Sequence, residues 1–225
     1  MVRPRVLITG FGPFPGVADN PSSWLVETLA AERQPAPEFK LDAHILPTEW
    51  DNAALIQRLY EAVQPHVMIH FGVSEDTTGF RVERSAHNRM ARQADARGAT
   101  PTGRRIRESG PSRFDTPFPA AKLAAHLRRS GIAASTSRSA GAYLCNFLYY
   151  HSLDWAFRQE TVPPVLFVHI PPWTKTRGAF SREALLHGAD KTLRFVLRYS
   201  EVRGPLKTSP GPPSRGEPVL STKDA

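Results

Sequence analysis

The chain has 225 residues, 40% hydrophobic and 22% charged, enough to enclose one large core without disulfide or metal staples. Its single cysteine, Cys145, excludes an internal disulfide and a multi-cysteine zinc site and suits a reducing cytosol. The net charge of +8 invites a nucleic-acid reading, but the basic residues are scattered and not interleaved with aromatics, so a solvated basic surface is expected instead.

Short apolar runs alternate with amphipathic stretches, which predicts an α/β layered domain. Arg5 to Thr9 reads as a central strand, apolar on both faces. Its apolar stretch, Val6 to Gly10, is too short for a signal-peptide core, and no run approaches the roughly 18 residues of a membrane span, so a cytoplasmic protein is expected. Asn20, Pro21 and Ser22 open a helix to about Arg33, with Asn as cap and Pro at the first helical position. A strand is expected from Lys40 to Leu46. Thr48 to Asp51 resembles a capping box ahead of a helix to about Val63. Val67 to Phe71 is a buried strand closed by Gly72, and Phe80 to Ala86 is extended.

From Arg89 to Pro119 the pattern dissolves into Gly, Pro, Arg and Ser, a length that marks a candidate lid. A helix follows from about Ala120 to Ser130, stopped by Gly131, then a strand from Ile132 to Thr136. Tyr143 to Phe157 is helical, Val165 to Ile170 is a strand and Ser181 to about Tyr199 is the last helix. Residues 203–225 are rich in Pro, Gly, Ser and charge and are expected to form a disordered tail, leaving 1–202 as the folded domain.

The glycine-rich stretch after the first strand, Thr9 to Gly16, fails as a nucleotide loop. Pro15 stands at the third glycine position, Pro13 lacks a backbone donor, and no lysine follows. It offers instead two aromatic rings, Phe11 and Phe14, at the carboxyl edge of a central strand, where open α/β sheets bind ligands. They could clamp a small flat uncharged group or merely pack a turn.

Cys145 sits in Ser139 to Asn146 (SAGAYLCN), where Gly141 permits a sharp turn and a helix begins. The free amides and positive dipole of a helix start would hold its sulfur as thiolate and could hold an oxyanion, although a small buried hydrophobe fits the same local pattern. His169 closes the strand before Pro171, where an imidazole could take the thiol proton and return it to a leaving amine. Of the eight histidines, His70 has a similar strand-end setting and is the rival base. Glu83 is a candidate to fix the imidazole tautomer, with a surface ion pair to Arg81 or Arg84 as the plainer alternative.

Four segments together resemble the pyroglutamyl peptidase I (pyrrolidone-carboxylate peptidase) family of cysteine peptidases. They are Thr9 to Phe14 with Asn20 to Ser22, Val82 to Asn88, Ser139 to Asn146, and Phe167 to Pro171, in order and spacing as far as about Tyr199. The resemblance implies a single three-layer α/β/α sandwich with a mixed, mostly parallel twisted sheet. It also implies a triad at Glu83, Cys145 and His169, a pyroglutamyl pocket using Phe11 and Phe14, and no metal or organic cofactor. The expected partners are pyroglutamyl peptides, with neither nucleic acid nor membrane; self-association into a homo-oligomer stays open.

Two places depart from the common bacterial pattern. Gly72 to Gly79 reads GVSEDTTG where those members carry Gly-Gln-Ala-Gly-Gly-Arg, and Arg92 matches the family's oxyanion arginine only across a one-residue gap. A diverged specificity, a nucleoside phosphorylase-like hydrolase of the same architecture and a non-catalytic binding protein are the competing readings.

Overall fold

The computed structural model describes residues 3–33, 36–173, 181–203 and 206–207. Six strands form one twisted sheet in the order β2-β1-β3-β9-β4-β7. Its members are β1 (Arg5–Phe11), β2 (Lys40–Leu46), β3 (Val67–Val73), β4 (Phe80–Glu83), β7 (Ala134–Ser137) and β9 (Val165–Ile170). Only the β4–β9 pair is antiparallel; β1–β2, β1–β3, β3–β9 and β4–β7 run parallel. The mixed, mostly parallel sheet expected from the sequence is therefore present.

Because side chains alternate across a strand, β1, β3 and β9 feed two cores. Val6, Ile8, Ile69, Phe71, Val168 and Ile170 meet α1 (Pro21–Arg33), α3 (Ala120–Arg129) and α5 (Arg182–Arg203) on one face. Leu7, Phe11, Met68, Val165 and Phe167 meet α2 (Ala53–Val63) and α4 (Leu144–Ala156) on the other. Burial on both faces explains why these strands read as unbroken apolar runs.

The expected capping box at Thr48 does not form. The Thr48 hydroxyl donates to the Gly12 carbonyl, so it serves the first loop, and α2 starts only at Ala53, after Asn52, whose side chain makes no cap bond. The strand expected at Ile132 begins two residues later, since Gly131 (φ +77°) and Ile132 still belong to the turn that ends α3. The 89–119 segment is held by many hydrogen bonds and contributes β6 (Arg113–Asp115), paired antiparallel with β5 (Ser85–His87). β8 (Thr161–Val162) pairs with β10 (Leu206–Lys207), just past the boundary expected at 202; residues 208–225 of the expected tail lie outside the described residues. Among the described residues no helix is long and apolar enough to cross a membrane.

Candidate active site

Strand register places the site. On the α4 face, Gly72 of β3 lies beside His169 of β9, which lies beside Arg81 of β4. One row back, His70, Phe167 and Glu83 are neighbours in the same way, with Thr9 beyond His70. Polar side chains on either side of Phe167 thus cross an otherwise apolar sheet near the carboxyl ends of its parallel strands, the edge at which such sheets bind ligands.

Cys145 approaches these side chains from above. Gly141 (φ +88°) makes the turn before α4, Tyr143 occupies its cap position in extended conformation, and Cys145 is the second helical residue. A Cβ placed on Gly72 would stand 2.9 Å from Cys145 Sγ and 2.8 Å from the Phe167 ring, so glycine is what lets the sulfur settle onto the sheet over Gly72, the register neighbour of His169. Asn146, fully buried, fastens the helix start: its Oδ1 accepts the His87 amide at 2.8 Å, and its Nδ2 donates to the carbonyls of His87 and Arg89 at 2.7 and 3.1 Å.

His169 Nδ1 lies 2.8 Å from Glu83 Oε1, with both side chains buried. A carboxylate can only accept, so Nδ1 carries a hydrogen, and in the neutral imidazole Nε2 is then the acceptor. Arg81 Nε donates to the same Oε1 at 3.0 Å, and Arg81 Nη2 donates to Ser74 Oγ at 2.8 Å. The Arg81 pair that sequence reasoning set against a site role for Glu83 therefore coexists with the histidine bond.

Burial pushes the Cys145 thiol up to about 12. The Glu83 charge adds to the rise, and the cysteine's own backbone N–H and the Arg81 guanidinium only partly oppose it. Desolvation therefore favours the neutral thiol here, against the thiolate that a position at a helix start favours. His70 is excluded as a proton carrier near neutrality: full burial pushes it down to about 3, and its Nδ1 meets the Thr9 hydroxyl at 2.8 Å.

The first loop lies beside this centre. Gly12 O accepts from Asn20 and Thr48, and the Ser22 hydroxyl accepts the Phe11 amide, so the loop is tied to the start of α1 and to the turn after β2. Phe11 is buried, with its ring 6.4 Å from that of Phe167. Phe14 is half-buried, 6.5 Å from Tyr143, which packs edge-on against Trp50 at 5.3 Å. The two phenylalanines therefore differ: one belongs to the core beneath the site and the other to an aromatic wall at the mouth of α4. Arg92 is exposed, one residue past Ala91, whose amide donates to Ala142 O at 2.7 Å in the turn before Cys145.

Sequence reasoning missed Gly72 as the seat of the sulfur, the sharing of Glu83 Oε1 between Arg81 and His169, and Asp95. The last is buried and receives the amides of Trp50, Arg97 and Ala99, joining the 93–99 turn to the turn between β2 and α2. Among the described residues no group of three or more His, Cys, Asp and Glu is arranged to hold a metal ion.

Comparison with known proteins identifies the family and the fold. The family model described as pyroglutamyl peptidase matches residues 4–176. The pyrrolidone-carboxylate peptidase of Pectobacterium carotovorum is 38% identical over 170 residues, covering 74% of this chain and 77% of that one. That of Brevibacillus brevis is 31% identical over 198 residues, 85% and 90% of the two chains. Among solved structures, the pyrrolidone carboxyl peptidase of Thermococcus litoralis superposes with a TM-score of 0.80 at 26% identity, covering 88% of this chain and 96% of that one. The Bacillus amyloliquefaciens pyroglutamyl peptidase I does so with 0.75 at 27%, covering 84% and 95%.

Proposed function

The chain belongs to the pyroglutamyl peptidase family, and from that premise we propose that it removes N-terminal pyroglutamyl residues from peptides, with Cys145 as nucleophile, His169 as base and Glu83 as the acid that orients it. The observation that carries the assignment is the seating of the Cys145 sulfur on Gly72, whose register neighbour His169 is hydrogen-bonded to buried Glu83.

The reaction starts from the neutral pair. As Sγ attacks the pyroglutamyl carbonyl carbon, its proton passes to His169 Nε2, while Glu83 steadies the imidazolium through Nδ1. Backbone amides in the first turn of α4 receive the oxyanion, and exposed Arg92, on the segment tied to the turn before Cys145, is available to the same oxygen. Collapse breaks the C–N bond; the amine leaves with the proton from His169, and a thioester remains. Water, deprotonated by His169, then attacks the thioester, and the thiol leaves with that proton as free pyroglutamate forms.

Pyroglutamate is a neutral five-membered lactam with no free α-amine, so shape and a few hydrogen bonds must recognise it. Phe14 supplies an apolar wall and Phe11, through Phe167, the packing beneath. A thiol that must stay reduced suits the cytosol, which is the proposed compartment.

The test is hydrolysis of a pyroglutamyl-arylamide by reduced, purified protein, compared with prolyl and glutamyl analogues. Cleavage of the pyroglutamyl compound alone is expected, lost in Cys145→Ala and on thiol alkylation but not with chelators. Undiminished cleavage by Cys145→Ala would remove the sulfur from the mechanism.

A further inference from the structure

Arg81 takes no part in that scheme, yet it shares an acceptor with the base. Its Nε and His169 Nδ1 both meet Glu83 Oε1, at 3.0 and 2.8 Å. The Glu83 side chain is 0% exposed and that of Arg81 22%; Glu83 Oε2 has no hydrogen-bond partner among the described residues. Strand alternation explains the arrangement. Residues 81 and 83 share one face of β4, and the antiparallel register sets Arg81 beside His169.

A buried carboxylate needs a counter-charge. Two groups stand at Oε1: a guanidinium, which is always charged, and an imidazole, which is charged only when it gains a proton. The other titratable groups about the cluster are Cys145 and Tyr149 from α4, Tyr143 at the cap of α4 beside Cys145, and His70 from β3, on the far side of Phe167. The Tyr149 hydroxyl donates to the Glu83 carbonyl, and His70 is neutral, so Arg81 is the permanent cation of the cluster. With it in place, Glu83 is balanced while His169 remains free to accept a proton. Without it, the carboxylate would draw a proton onto His169, and Cys145 would face an imidazolium that favours thiolate.

We propose that Arg81 is a positioning residue that, acting through Glu83, keeps Cys145 and His169 as a neutral thiol–imidazole pair instead of an ion pair. Through Ser74 it also ties the turn after β3 to the same carboxylate. The proposal rests on the roles given above to Glu83 and His169, but its test needs no peptidase activity. Failure of the wild type to cleave a pyroglutamyl substrate therefore bears on the function and not on this charge arrangement.

The measurement is the rate at which iodoacetamide alkylates Cys145, the sole cysteine, across a pH series in the reduced full-length protein. At neutral pH, Arg81→Gln should react about tenfold faster than wild type, as one unit of thiol titration implies. Arg81→Lys, which keeps the charge, and Ser74→Ala, which keeps Arg81, should both follow wild type. Loss of a nearby positive charge with no proton moving to His169 would act oppositely and slow alkylation. The double variant Arg81→Gln, Glu83→Gln holds no buried carboxylate and should return to the slow rate. If Arg81→Gln unfolds while the double variant folds, the same charge imbalance is read as stability. An Arg81→Gln rate at or below wild type would overturn the proposal. So would a double variant as fast as the single one, Arg81→Lys behaving like Arg81→Gln, or both glutamine variants unfolding.

Discussion

Gly72 and Cys145 approach so closely that a single methyl group on the glycine would stand 2.9 Å from the sulfur. The same methyl would meet the buried Phe167 ring at 2.8 Å, and that ring is wedged among Phe11, Tyr149 and His169 and cannot retreat. The sulfur must therefore move. Gly72→Ala should leave a folded protein, since overpacking costs about 1–3 kcal/mol. It should lower kcat/KM about a hundredfold, the scale of a 1 Å misplacement at a reacting centre. Activity within a few-fold of wild type would show that the sulfur does not work from its seat on Gly72.

Glu83 holds the imidazole by one oxygen, so the charge can be removed with little change of shape. Glu83→Gln should lower kcat by about a hundredfold or more, within the usual range for acid–base assistance, because the amide can present either a donor or an acceptor to Nδ1 and no longer steadies an imidazolium. KM should change little, since Glu83 is enclosed and out of reach of substrate. Steady-state kinetics separates the two; a rise in KM at unchanged kcat would make Glu83 a binding residue.

The strands could be read because burial on both sides leaves an uninterrupted apolar stretch, and Cys145 and His169 because each ends or begins an element at a ligand-binding edge. Glu83 needed the family resemblance, since nothing local distinguishes it from a surface ion pair. The rest was set by register between distant segments. Arg81 reaches the side of His169 only because β4 lies next to β9 and runs antiparallel to it, and no local pattern announces that. The Thr48 hydroxyl, a plausible cap on local grounds, found its acceptor in Gly12 instead. The environment of Cys145 was hidden for a similar reason: its helix position is local, whereas Gly72, on which the sulfur sits, is over 70 residues away in the chain.

The two phenylalanines should separate binding from stability. Phe14 is half-buried against Tyr143, so Phe14→Ala should raise KM for a pyroglutamyl substrate about tenfold, a loss of ~1.4 kcal/mol of apolar contact, while the thermal midpoint stays near wild type. Phe11 is in the core, and Phe11→Ala should cost about 3–5 kcal/mol in denaturant unfolding. A Phe14→Ala protein with unchanged KM would take that ring out of the pocket.

Acid should weaken the fold in two stages, through different residues. Burial pushes His70 down to about 3 and half-buried His151 down to about 4, the latter with help from Arg107 and Arg158 and against Asp154. In the unfolded chain both take up protons as pH falls through about 6.5. Below that pH the unfolded state binds more protons than the folded one, so stability falls as pH drops from about 6.5 toward 4. Asp95 acts later. Burial alone would raise its carboxyl, but the amides of Trp50, Ala99 and Arg97 and the Arg97 guanidinium together hold it below 3.8. Its contribution is complete above the unfolded value and is lost as pH falls through the folded one. Thermal midpoints followed by circular dichroism should therefore fall less steeply between pH 6.5 and 4 in His70→Asn than in wild type. Asp95→Asn should lie below wild type at neutral pH and converge with it at the acid end. A His70→Asn curve parallel to wild type across the upper interval would mean that this histidine accepts protons as readily in the folded protein as in the unfolded chain.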